Sequence, residues 1–575
     1  MPRNTVQPNG WAAIRLPNDT LRILQIVPNT TISLGKYGSF PSNLIIERPF
    51  HLTYEVQDKR DGENFSRLRV MPASEVNADM LADTSADASD DVAEGDDVIV
   101  PADGEELTLM DETGRVVARS NREIIDDPAR QMLTRDEIME LKSKGASAGK
   151  ELIAKLLLSH TAIDQKTEYS LAKYKLLKTK KYIRRFTILP LDVGLLSQWL
   201  LEDRDAAKIL ELRQESIALI GCWADIHFGG SPVEGLSGSY GGRWLVCDDT
   251  GGLLVAAMAE RMGILYHDKS QIAQDEEIEF DQIKEKESGA EPANGAAEEE
   301  DTQMKDLSRR QRNLRKRPRR DDLEVPYAPT NTITLVHGYV QPNLSVLRYF
   351  DFDSSDPNPS EPYHPLVTNL LPISWLQLLH PEEDPIYMDK PAEVDPEVLA
   401  NMKTSRRGNY HRKRRRWART QHIVNETRQG GFSGLAVAST MDPISVLRNS
   451  LPLLEGGAPI AIYSQNVEPL SQLAECFSVS RRASWVSSPP PEVEGKTLAE
   501  LETWSGNSDF PINPTLVLGV SIQSSRARRW QVLPGRTHPF MTARGGAEGY
   551  ILTGWKAVPV EGKISARGKF AKKRD

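Results

Sequence analysis

WLVCDDTGGLLVAAMAERMG, residues 244–263, passes from a hydrophobic run through a glycine turn into an amphipathic segment. Trp244–Cys247 read as a strand, Gly251 and Gly252 as the turn, and Gly263 as the stop of a helix over 253–262. That is the layout of a nucleotide- or S-adenosylmethionine-binding loop at the head of an α/β sheet. The surrounding sequence keeps the same rhythm. RWLVC (243–247), TITLVHG (332–338), GLAVAST (434–440) and PIAIYSQ (459–465) read as strands. Residues 253–262, 442–454 and 468–477 read as helices, and TLVLGVSIQ (515–523) and GYILTGWKAV (549–558) add two terminal strand-like runs. Alternating βα units of this kind predict a mostly parallel, doubly wound sheet.

The loop does not carry the residues that a cofactor needs. Class I methyltransferases place E/D-x-G-x-G-x-G after the first strand, because glycines let the backbone approach the ligand and adopt positive φ. With Asp248 in the acidic position, Thr250, Gly252 and Leu254 fall on the three glycine positions, so one of three remains. An acid that would hold the ribose hydroxyls is missing after the next strand, which ends in His337 and Gly338. After the fourth strand Ala438 and Ser439 stand where a polar anchor is expected, with Asp442 displaced toward the following helix. The reading is a degenerate cofactor site and no cofactor in this chain. Asp248–Gly252 is then a tight strand-to-helix turn with Asp or Thr capping the helix.

Other chemistry is equally scarce. There is no GKS or GKT, no HxxxH, no GxSxG and no paired-acid motif, so neither catalytic nor metal-ligating residues are expected. Three cysteines, Cys222, Cys247 and Cys476, form no CxxC pair, which argues against a disulfide scaffold and fits a reducing compartment. No apolar run reaches the roughly 18 residues of a membrane span, so no membrane association is expected.

A chain of 575 residues predicts two or three domains. WAAIRL (11–16), LRILQIV (21–27), TISLG (31–35) and HLTYEV (51–56) read as short strands of a small N-terminal β-barrel over 1–120, with RVMP and LTLMDETGRVVAR as possible further strands around an acidic disordered insert at 72–107. Residues 121–214 read as a helical, basic linker region, in which Thr134 and Glu137 have capping-box spacing and Leu152, Ile153, Leu156 and Leu157 form an apolar stripe. Residues 215–575 form the Rossmann-like domain, with a disordered insert at about 267–330. The fold class is therefore α/β plus β.

The net charge of −10 hides a basic body. Residues 75–106 hold twelve acids and no base, and 275–301 hold twelve acids against two lysines; the rest of the chain is net positive by twelve charges. KYKLLKTKKYIRR (173–185) has seven cations interleaved with Tyr174 and Tyr182, and on a helix Lys173, Lys180, Lys181 and Arg184 would share a broad face. RRQRNLRKRPRR (309–320) reads as a nuclear-import signal or RNA-binding arm. RRGNYHRKRRRWAR (406–419) mixes eight cations with Tyr410 and Trp417, a mixture that favours nucleic-acid contact. The candidate RNA contacts are Lys178, Lys180, Lys181, Arg184 and Arg185, then Arg412, Lys413, Arg414, Arg415 and Arg416.

Taken in order, SLGKYGSF, IIERPFHLTYEV, LTRDEIMELKSKG, KTEYSLAKYKLLKTKKYIRRFTILP, RWLVCDDTGGLLVAAMAERMG and VLPGRTHPFMTARGGAEGYILTGWK resemble the non-catalytic subunits of eukaryotic tRNA (adenine-58-N1)-methyltransferases. The resemblance implies an N-terminal β-barrel and a methyltransferase-like Rossmann domain that has lost cofactor binding. It also implies a catalytic paralogue as partner, two copies of each in a heterotetramer, with S-adenosylmethionine bound by the partner. tRNA as ligand and the nucleus as location follow from the same resemblance. The other readings are a general RNA-binding or translation-initiation scaffold, and an active methyltransferase with an atypical loop.

Overall fold

A computed structural model describes residues 4–57, 65–76, 109–110, 116–118, 133–134, 137–138, 148–159, 168–229, 241–266, 330–355, 364–533, 536–540 and 547–558. Nearly all of the acidic tract at 75–106 and all of the run at 275–301, most of the glycine-rich stretch at 229–242 and the basic run at 309–320 lie outside these residues. The chain divides into two compact units, one holding Pro2–Arg204 and Ala527–Arg544, the other Asp205–Arg526 and Gly545–Asp575. This division differs from the three-part expectation, which made 121–214 a separate helical linker.

The N-terminal unit is built on β1 (Trp11–Arg15), β2 (Leu21–Gln25), β3 (Thr31–Ser33), β4 (Ser39–Pro41), β5 (Thr53–Val56), β6 (Leu68–Met71), β7 (Leu109–Met110), β8 (Val116–Ala118) and β9 (Arg185–Pro190). Five of them form an antiparallel sheet in the order β2-β1-β9-β5-β6, while β3-β4 and β7-β8 pair separately. RVMP thus falls on the main sheet through β6, and LTLMDETGRVVAR supplies a two-stranded pair outside it. Strand β9 is a correction to the expected linker helix. Phe186 and Ile188 alternate inward to join Ile14, Phe40 and Tyr54 in one core, and the Phe186 ring stacks on Phe40 at 4.8 Å. Burial of such side chains, roughly 1.5–3 kcal/mol each, outweighs the helical tendency of the lysine-rich run before them.

Helices α1 (Ala148–Leu158) and α2 (Glu168–Tyr182) pack on each other, and α3 (Val193–Asp203) follows β9. Leu152 and Leu156 of the expected α1 stripe are buried. The capping box also forms: Glu137 accepts from the Thr134 amide at 2.8 Å and donates its own amide to the Thr134 hydroxyl at 3.3 Å.

In the second unit α4 (Gln214–Trp223) leads to β10 (Arg243–Asp248), α5 (Leu253–Met262), β11 (Thr332–His337), β12 (Leu370–Ser374), α6 (Thr404–Arg428), β13 (Gly434–Ala438), α7 (Pro443–Ser450), β14 (Pro459–Ser464), α8 (Val467–Cys476), α9 (Val479–Ser487) and β15 (Val517–Gln523). The chain then forms the hairpin β16 (Trp530–Leu533) and β17 (Arg536–Pro539), which belongs to the N-terminal unit, and ends the sheet with β18 (Tyr550–Lys556). The seven-stranded order is β12-β11-β10-β13-β14-β18-β15. The first five strands are parallel and β18 runs antiparallel between β14 and β15. This is the doubly wound Rossmann-like sheet that the alternation predicted, in which consecutive strands leave β10 on opposite sides and open a crevice at its carboxyl end. The central residues of β10, β13 and β14 form buried runs, Trp244–Cys247, Leu435–Ala438 and Ile460–Tyr463, as in strands covered on both faces. Among the described residues no helix is long and apolar enough to cross a membrane.

Candidate functional site

The crevice at the carboxyl end of β10 is where an open α/β sheet binds its ligand. Here the polar groups of the loop after β10 bond to one another and to the first turn of α5. The Asp248 carboxylate accepts from the Thr250 amide at 2.6 Å, the Thr250 hydroxyl at 2.5 Å and the Val255 amide at 3.0 Å. The Thr250 hydroxyl in turn accepts from the Leu254 amide at 3.1 Å. Two orphan amides of the first turn of α5 are thereby satisfied from within. Burial pushes the Asp248 carboxyl above its ordinary pKa, opposed by the hydrogen bonds it receives from Thr250 and Val255.

Gly252 keeps the turn tight, with φ +92°, and a Cβ there would stand 3.2 Å from the Leu344 Cα. The Val346 amide donates to the Gly251 carbonyl at 3.0 Å, which fixes the segment after β11 onto the glycine turn. Leu253 and Leu254 are fully buried. Asp249, which the sequence showed only as a member of the Asp248–Gly252 turn, ties the two central loops together. Its carboxylate accepts from the Ser439 hydroxyl at 2.5 Å and the Thr440 amide at 3.0 Å. Asp442 caps α7 by accepting from the Ile444 and Ser445 amides, so it does not point into the crevice as an anchor. The glycine turn lies against Leu344, and the acids near it are engaged in capping and loop bridging. Asp248, Thr250 and the glycine turn were visible in the sequence; the bridging role of Asp249 and the positions of Leu344 and Val346 carried no signal of their own.

His337 ends β11 in the position of the missing ribose acid and is buried. Burial lowers its pKa from the ordinary 6.5, against smaller upward pulls from the Tyr339 backbone and the Asp249 charge. The unfolded chain then binds a proton here more readily than the folded one. Stability from this group is complete above the ordinary histidine value and is lost as pH falls through the lowered folded value. Urea midpoints measured between about pH 5 and pH 8 should therefore show a smaller acid-side decline in His337→Gln than in the parent chain; equal declines would refute this assignment.

The two basic clusters sit on different units. Lys178, Lys180 and Lys181 lie on α2, whereas Arg184 follows the helix and Arg185 opens β9, so the single helical face expected for Lys173 through Arg184 is cut short at Tyr182. Lys180 pairs with Asp19 at 2.5 Å, and its backbone carbonyl accepts from the Tyr37 hydroxyl. The Lys178 ammonium lies over the Tyr174 ring and that of Lys181 over Tyr182. On α6 the expected run becomes one long helix. Arg406, Arg412, Lys413, Arg415 and Arg416 are exposed, while Tyr410, Arg414 and Trp417 turn inward. Arg414 donates to the Tyr410 hydroxyl at 2.8 Å, and the Trp417 indole donates to the Tyr387 carbonyl at 3.1 Å. Arg419 is structural: it donates to the carbonyls of Val367 and Leu370, and burial lowers its pKa.

A family model described as the Gcd10p family matches residues 5–403. A relative from Aspergillus oryzae, named tRNA (adenine(58)-N(1))-methyltransferase non-catalytic subunit trm6, is 44% identical over 99% of this chain and 95% of its own length. The chain belongs to the Gcd10p family. Relatives bearing the same subunit name extend to Schizosaccharomyces pombe, at 25% identity over 99% of this chain and 96% of that one. The mouse protein is 26% identical over 76% of this chain and 74% of its own. Among solved structures, the tRNA (m1A58) methyltransferase TrmI from Aquifex aeolicus overlaps with a TM-score of 0.34 and 8% identity, covering 96% of this chain and 99% of that one.

Proposed function

We propose that this Gcd10p-family chain is the non-catalytic, tRNA-binding subunit of a tRNA (adenine(58)-N1)-methyltransferase. The observation that carries the reading is 44% identity, across 99% of the chain, to a relative of that name. The crevice supports it: Asp248, Asp249 and Leu344 occupy the places where a cofactor loop would be open. In this reading S-adenosylmethionine binds to a catalytic partner subunit, which carries out methyl transfer to N1 of the target adenosine. This chain contributes phosphate contacts through the exposed cations of α2 and α6, and so offsets the cost of exposing the base. The N-terminal sheet is read as a small barrel, the complex as two copies of each subunit, and the basic run at 309–320 as a nuclear address.

Co-expression with candidate methyltransferase subunits tests the reading. The expected result is an equimolar complex that methylates tRNA, together with an isolated chain that shows no heat of binding on titration with S-adenosylmethionine. Micromolar binding by the isolated chain, or full methylation by the partner alone, would overturn it.

A further inference from the structure

The hairpin β16–β17 was not part of the expected RNA surface. Its sequence context, residues 524–544, holds five arginines and no acid. Trp530 pairs with Pro539 and Val532 with Thr537, so Trp530 and Val532 share one face of the ribbon. That face is open: Trp530 is 56% exposed and Val532 72%. Gln531, between them, points the other way and is buried. Arg528, two residues before Trp530, is exposed as well. The Arg529 guanidinium is held by Glu202 at 3.2 Å, which anchors the base of the ribbon within the N-terminal unit.

Tertiary structure supplies the decisive neighbour. Strand β16 packs against α2, the helix that carries Lys178, Lys180 and Lys181, although some 350 residues separate the two in sequence. An exposed tryptophan on an arginine-rich ribbon, packed against a lysine-rich helix, is complementary to a polyanion with unstacked bases. Every base has a π-face, and an aromatic platform next to a cationic track is the usual means of holding an unpaired nucleotide.

We propose that the β16–β17 hairpin is a second RNA-contacting element, in which Trp530 stacks on an unpaired base of the bound tRNA and Arg528 lies along the adjoining phosphates. The proposal rests on the tRNA-binding reading above and adds to it a site of different chemistry. The test uses the full chain in complex with its catalytic partner and measures tRNA affinity across a salt series. Trp530→Ala is expected to weaken binding about tenfold with the salt slope unchanged, since stacking releases no counterions. Trp530→Phe should stay within about threefold of the parent because the ring is kept. Arg528→Gln should instead flatten the slope. Parent-level affinity in Trp530→Ala, or equal losses in the Ala and Phe variants, would overturn the proposal. Loss of the catalytic partner from the Trp530→Ala complex would also overturn it, marking the ribbon as a protein contact. Failure of the parent complex to bind tRNA would instead sink the underlying function.

Discussion

Replacing Arg412, Lys413, Arg415 and Arg416 together with glutamine is expected to weaken tRNA binding by about two orders of magnitude at physiological salt. The four side chains are exposed on α6, where the helix presents them without acids in the same turns. Each cation that neutralises a phosphate releases close to one counterion, so the slope of log affinity against log salt should fall by roughly three units. The fold should survive, because the buried residues of α6, Ala418, Ile423, Val424 and Thr427, lie beyond the substituted turns. Arg414→Gln is the internal comparison. Its guanidinium is turned to the Tyr410 hydroxyl, so its loss should change the salt slope little. Binding isotherms at four or five salt concentrations decide the matter. An unchanged slope in the fourfold variant would mean that this face is merely solvated.

Asp248→Ala should cost about 3 kcal/mol of stability, since it leaves the buried amides of Thr250 and Val255 without an acceptor. Thermal denaturation should then shift downward by roughly 6–12 °C. The tRNA affinity of the folded fraction should not change, because Asp248 spends its carboxylate on amides of its own loop. If Asp248 held a cofactor instead, the variant would keep its stability in the absence of cofactor and lose only ligand-dependent protection. A shift below about 1 °C would therefore refute the capping role.

Much of this was legible because the relevant interactions are local. Strand β10, the glycine turn and α5 follow one another within twenty residues, and hydrophobic run, φ-permissive glycine and helix stop each have a sequence signature. The same holds for the Thr134–Glu137 box and for the parallel strands, whose continuous apolar runs reflect burial on both faces. Strand β9 was hidden because its partners, β1 and β5, lie far earlier in the chain, while the lysines before it read as helix. Strand β12 was missed for a related reason: it is five residues long and contains Pro372, which an edge strand tolerates. The 25-residue helix α6 has no apolar stripe in its first half, so only a count of cations remained to be read.

From sequence alone came the α/β character, the loss of two of three cofactor glycines, the basic body behind an acidic net charge and the family resemblance. Each depends on residue identity or on spacings of a few positions, and these survive without coordinates. Tertiary structure alone decided what packs against the glycine turn and which cations are exposed. Leu344 reaches Gly252, Asp249 reaches Ser439, and the Trp530 ribbon packs against α2. These contacts join segments from about 90 to about 350 residues apart, and no local pattern encodes them. Only the closing of the sheet and the packing of its core bring them within reach.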